Sequence, residues 1–138
     1  MGIQFGMVVL DVRDLRRSIE FYRLLGLDMP EPFPDRPVAL YRMESGVSLV
    51  LVEDFSANND PTWVRPEHDH YQQMLEFVVD DDAAVDAEWH KFTSAGHHGR
   101  KPPNKSTGIY AALIDDPDGN VLLISSDPNA RPTPTLTS

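Results

Sequence analysis

"VVLDVRDLRRSIEFYRLLGL", Val8 to Leu27, is the stretch on which the reading of this chain turns. It opens as an apolar, β-branched run and then changes period. Met7 to Val12 has the composition of a short strand. Asp14 follows as a helix N-cap, and Leu15, Ile19 and Tyr22 recur at i, i+4 and i+7, the spacing of one helix face. Gly26 stands where the helix should stop, because glycine accepts the left-handed conformation that closes many helices.

The same series of signals returns about 70 residues later. "MLEFVV" (Met74 to Val79) reads as a strand, Asp81 or Asp82 as the cap, Val85, Trp89 and Phe92 as the stripe, and Gly96 as the stop. Each strand–helix pair is followed by a hairpin. In the first half "VALYRM" and "VSLVLVE" flank the turn Glu44-Ser45-Gly46. In the second, "GIYAALID" and "NVLLIS" flank Pro117-Asp118-Gly119. A proline-rich connection, "MPEPFPDRP", precedes the first hairpin, and a polar loop, "DFSANNDPTWVRPEHDHY", joins the halves. The expected organisation is a first module over residues 1–56, a connecting loop over 57–72, a second module over 73–127 and a loose tail over 128–138. Neither half has surface enough to bury its helix stripe alone, so the two should form one structural domain, within the chain or across a dimer.

Bulk properties remove several function classes. The formal net charge is −10, from 22 acidic and 12 basic residues, which leaves no basic face for a nucleic-acid backbone. The one basic cluster, "HHGRKPPNK", is short and broken by prolines. No apolar run approaches the roughly 20 residues of a membrane span, and the first residues do not resemble a signal peptide. There is no cysteine, so disulfides and thiolate chemistry are excluded. The expectation is a cytoplasmic protein with neither nucleic-acid nor membrane partners. No Ser-His-Asp motif, phosphate loop or GxGxxG is present.

On the residues just quoted, together with "LEFVVDD" and "DDPDGNVLLI", the chain resembles the vicinal oxygen chelate superfamily, which includes glyoxalase I, extradiol dioxygenases and bleomycin-resistance proteins. The likeness spans about residues 5 to 126. It implies an α+β fold of two βαβββ modules, whose curved mixed sheets form a cleft, commonly completed by a dimer. It also implies where the metalloenzymes of the superfamily place His and Glu or Gln ligands. Those positions are Met7, seven residues before Asp14; Val50, four past Gly46; Met74, seven before Asp81; and Leu123, four past Gly119. All four are apolar, and neither alkyl groups nor thioethers replace imidazole and carboxylate around a hard or borderline divalent ion. The resemblance therefore implies the fold without a metal or other cofactor. The stretch from "DPTW" onward looks most like the metal-free mitomycin- and bleomycin-resistance proteins, which hold a drug without altering it.

Strand alternation sorts the side chains independently. If Met7, Val50, Met74 and Leu123 face the cleft, then Phe5, Val9, Ser48, Val52, Gln72, Glu76, Val121 and Ser125 do so too. The opposite parity, Val8, Leu10, Leu49, Leu51, Leu75, Phe77, Leu122 and Ile124, is uniformly large and apolar, as a helix-covered core should be. The mixed set suits a flat or amphipathic organic molecule. Packing in a closed core is the alternative. Trp63, in a polar loop, is either a stacking wall over a planar ligand or a packing residue. Tyr41 and Tyr110 could add stacking and a hydroxyl, or fill their sheets; Phe55 and Tyr71 are weaker candidates. His68 and His70 in "EHDH" are candidate hydrogen-bond partners of a ligand and a weak metal signal. His97 and His98 suit a helix C-terminus, as Asp80 to Asp82 suit an N-terminus.

The expected ligand-binding set is thus Met7, Val9, Tyr41, Ser48, Val50, Trp63, His70, Gln72, Met74, Glu76, Tyr110 and Leu123, with no catalytic or metal-ligating residue. The expected function is non-catalytic sequestration of an aromatic antibiotic or similar natural product by a homodimer. The alternative is a glyoxalase-fold enzyme, a lyase, isomerase or oxygenase, with an atypical or absent metal site, in which Glu76 would be a buried base.

Overall fold

A computed structural model describes residues 2–67, 70–106 and 108–128. Two compact units emerge. The first contains the chain up to His70 together with Pro117–Gly119, and the second contains Tyr71–Asp116 and the chain from Asn120.

In the first unit, β1 (Met7–Asp11) leads into α1 (Leu15–Leu24), and β2 (Val38–Arg42) and β3 (Ser48–Val52) form the expected hairpin. The sheet order is β1-β3-β2, with β3 parallel to β1 and antiparallel to β2. Asp14 caps α1 by accepting the Arg17 N–H at 3.1 Å, as its position predicts. Two further carboxylates secure the same helix start. Glu53 accepts the Leu15 N–H at 2.5 Å, and Asp118 accepts the Arg13 N–H at 2.9 Å and the Ser18 hydroxyl at 3.2 Å. The protein's own acids therefore occupy this helix terminus and leave no place there for a phosphate.

The second unit repeats the plan with one strand more. After the connecting loop and its single helical turn, α2 (Phe55–Asn58), β4 (Met74–Val78) is followed by α3 (Asp82–Ser94), β5 (Gly99–Asn104), β6 (Ala111–Asp115) and β7 (Val121–Ser125), in sheet order β4-β7-β6-β5. Asp81 caps α3, accepting the Ala84 N–H at 2.8 Å. The fold is α+β with two mixed sheets, as expected. Only the second has all the strands of βαβββ, because the proline-rich segment before β2 contributes no strand.

Two elements were not foreseen. β5, "GRKPPN", coincides with the stretch read as a broken basic cluster. Proline cannot donate to a ladder, but β5 is the outermost strand, and its pairing with β6 shifts register between Gly99 and Lys101 and again between Lys101 and Asn104. The other is α2, which is entered through Asp54 at φ 57°. Asn58 closes that turn by donating its amide to the carbonyls of Glu53 and Asp54, each at 3.1 Å.

The residues assigned to the core face are largely buried, but so are Ser48, Val50, Val52, Val121 and Ser125 of the opposite parity. Leu10, Leu49, Leu51, Leu122 and Ile124 are buried core, joined by Ile19, Tyr22, Val85 and Phe92 from the two helices. Val8, Leu75 and Phe77 are half-buried. No described helix is long and apolar enough to cross a membrane. Residues 129–138, most of the expected loose tail, lie outside the described residues, as do His68 and Asp69.

Candidate functional site

Cross-strand partners share a face of a sheet, so the observed register tests which of the expected side chains belong together. On the first sheet Met7 pairs with Ser48 and Val9 with Val50, and beyond them Asp11 pairs with Val52. On the second, Met74 pairs with Val121, Glu76 with Leu123 and Val78 with Ser125. Met7, Val9, Ser48 and Val50 thus share one face, and Met74, Glu76 and Leu123 share the corresponding face of the other sheet.

The register separates both hairpin tyrosines from these sets. Tyr41 pairs with Leu49, on the core side of the first sheet. Tyr110 donates its hydroxyl to Asp86 of α3 at 2.5 Å, so it lies on the helix side of the second. That hydrogen bond, with burial, raises the Tyr110 hydroxyl above its ordinary pKa of 10.0. Each tyrosine has the parity of the core residues beside it, and this excludes it from the opposite face.

The two faces are covered to different degrees. Val50 is 5% exposed, with Ser48 and Val52 also buried, so along β3 the closed-core alternative describes them. Met7 is 52% exposed and Met74 43%, and both lie on outer strands. Glu76 is exposed, and its Oε2 accepts the hydroxyl of buried Ser125 at 2.8 Å. Gln72 and His70 are exposed, and His70 Nδ1 lies 3.7 Å from Glu67.

Each face also carries a clamp that the sequence did not reveal. On the first sheet Arg65 holds both oxygens of Asp11, and its guanidinium lies 5.3 Å from the Trp63 ring. Trp63 is engaged on another side by Phe55, with ring centres 5.2 Å apart, which fits the packing alternative for this residue. Burial pushes the Asp11 carboxyl above its ordinary value of 3.8; Arg65 opposes the shift, and Asp118 adds to it. On the second sheet Arg100 grips Asp115 through Nε at 2.7 Å and Nη2 at 2.9 Å, and its guanidinium lies 5.2 Å from the Tyr71 ring. The parity of Met7 and Val9 extends to Asp11 and was available in the sequence. The arginines that meet Asp11 and Asp115 were not, because long-range pairing leaves no local period.

The arrangement does not fit a metal. Two thioethers and two alkyl groups stand at the positions implied for ligands, and among the described residues no three His, Cys, Asp or Glu side chains converge to hold an ion.

The sequence profile of the Glyoxalase/Bleomycin resistance protein/Dioxygenase superfamily matches residues 4–124. The chain belongs to this superfamily. Solved glyoxalase-fold structures agree. A hypothetical protein, SA1046 from S. aureus, superposes with a TM-score of 0.77 at 22% identity, over 92% of this chain and 95% of its own. A glyoxalase-related enzyme from Fulvimarina pelagi gives 0.76 at 21% identity, over 91% and 88%. Lactoylglutathione lyase from Agrobacterium tumefaciens gives 0.63 at 24% identity, over 88% and 92%. At these identities the likeness is one of fold. No curated protein matches the chain. The superfamily holds both enzymes and binding proteins, so function has to be argued from the residues of this site.

Proposed function

We propose that this superfamily member is a non-catalytic binding protein that sequesters a planar or aromatic organic molecule, such as an antibiotic, and that it works as a homodimer. One observation carries the reading: Met7, Val50, Met74 and Leu123 are all apolar, where the metalloenzymes of the fold place ligands. Met7 and Met74 remain exposed on their sheets, and methionine adapts well to flat aromatic surfaces. Gln72, Glu76 and His70 supply polar groups that could fix a ligand's orientation. Val9, Ser48 and Leu123 line the same faces.

The alternative, an enzyme of this fold, has one observation in its favour. Glu76 carries a hydroxyl partner, Ser125, on an exposed and otherwise largely apolar strand face, a setting in which a carboxylate can take a proton from a bound substrate.

The test is a fluorescence and mass-spectrometry screen of the untagged protein against planar natural products. Saturable quenching, with the ligand recovered at unchanged mass, is the expected result. Near-stoichiometric zinc, nickel, manganese or iron in elemental analysis, or a chemically altered ligand, would overturn sequestration and favour the enzyme.

A further inference from the structure

Residues 54–66, which follow β3, carry two aromatic rings on very little support. The segment starts at Asp54, the one described non-glycine residue with positive φ, at 57°, whose side chain makes no capping bond to α2. An aspartate held in this glycine-favoured conformation stores strain at the root of the segment. Beyond the root, the hydrogen bonds are mostly internal. Asn59 and Asp60 donate their N–H groups to the Phe55 carbonyl, Trp63 donates to the Asp60 carbonyl, and Asp60 Oδ1 accepts the N–H and hydroxyl of Thr62. α2 buries no residue. Among the described residues, the hydrogen bonds that tie this segment to a strand or helix outside it are those of Arg65 to Asp11 of β1.

Cover over the first sheet's open face increases toward that contact. Met7 is 52% exposed, Val9 is half-buried, and the side chain of Asp11, next in the same parity, is 14% exposed. The Trp63 ring stands beside this end of the face, 5.3 Å from the guanidinium that holds Asp11, and Phe55 backs the ring at 5.2 Å.

We propose that residues 54–66 form a strap over the Asp11 end of this face, hinged at Asp54 and latched by the Arg65–Asp11 ion pair, and that its opening admits and releases the ligand. The gating rests on the binding function proposed above; the strap is a property of the free chain. A segment with few buried apolar contacts opens at low cost once its latch breaks, and the strained root favours the swing. Arg65 is a positioning residue, which fixes Trp63 and makes no contact with the ligand.

The first measurement is fluorine NMR of protein carrying 5-fluorotryptophan, which gives one resonance for each of the two tryptophans, assigned with Trp63→Phe. In Arg65→Met the Trp63 resonance should move toward its position in the unfolded chain while that of Trp89 stays, which shows that the fold is kept. Arg65→Lys, which retains the charge, should return part of the shift. The second is stopped-flow mixing with Nile red, a neutral planar probe. Arg65→Met should raise its association and dissociation rates together, each by about tenfold, the weight of one charge-assisted contact, with affinity nearly unchanged. A merely structural role would lower affinity through dissociation alone. An unmoved Trp63 resonance in Arg65→Met would overturn the strap. Unchanged rates, or faster dissociation without faster association, in a chain that binds Nile red would overturn the gate. A wild-type chain that takes up no Nile red would overturn the gate through the binding function itself, and the fluorine measurement, made without any probe, tells that failure apart.

Discussion

At the residue scale, Gly99 shows how little room the second unit leaves between helix and sheet. It pairs with Ile114 on the helix side of β6, and a Cβ at this position would run into the Trp89 ring of α3. The stripe of α3 predicts Trp89 as a core residue, and this contact explains why the neighbouring strand begins with glycine. Trp89 is half-buried, and an added methyl has to displace its ring or the start of β5. Gly99→Ala should therefore destabilise the protein by about 1–3 kcal/mol, the usual cost of overpacking. Denaturant unfolding checks this through a lowered midpoint at unchanged slope. A midpoint equal to the wild type would mean that Trp89 swings clear. Gly26 and Gly96 answer to a different demand. Both have positive φ, at 107° and 92°, and end their helices as their positions predict.

At the element scale, α1 is held at both ends by charges, and only one end was legible. Asp14 is a local cap three residues from the group it satisfies, and caps of that kind can be read from sequence. Asp118 reaches the same helix from a turn 105 residues away in the chain, and no local pattern announces such a bond. β5 was missed for a related reason. Its two prolines argue against any central strand, and only its place at the sheet's edge makes them acceptable. Glu31 bridges the two ends of α1, accepting from Arg16 in the first turn at 2.6 Å and from Arg23 in the last at 2.9 Å, while Arg23 Nε donates to the Met29 carbonyl. The Arg16 hydrogen bond first, and that of Arg23 second, hold the Glu31 carboxyl down at about 2, from an ordinary 4.5. The folded state thus prefers the ionised acid. Whatever stability Glu31 contributes is complete above pH 4.5 and disappears as the pH falls toward about 2. Carboxyl NMR titration should find its midpoint near 2, and Arg16→Gln should move it up toward 4.5. A native midpoint already near 4.5 would show that the arginines exert no hold on it in solution.

For the whole molecule, the internal repeat is the strongest signal, because a change from strand period to helix period, made twice with caps and stops, is hard to produce without a duplicated strand–helix unit. From it follow the α+β class and the sorting of core from open face. The unequal strand counts, three against four, do not follow from it, since they depend on which proline-rich segment reaches a sheet edge. Assembly is where this architecture leads next. β1 and β4 each form one edge of their sheet, and neither carries the proline or lysine with which exposed edges are usually protected. Phe5, 71% exposed, extends the open parity of β1 beyond Met7. A second copy of the chain is the occupant proposed for this surface, since an isolated apolar edge invites self-association. Sedimentation velocity should find a species of twice the 15.5 kDa chain mass. Phe5→Lys should shift that species toward the monomer without lowering the unfolding midpoint of the chain, because an exposed side chain adds little to the fold itself. A wild-type protein that stays monomeric at high concentration would refute the dimer. A Phe5→Lys protein that stays dimeric would move the interface away from the β1 edge.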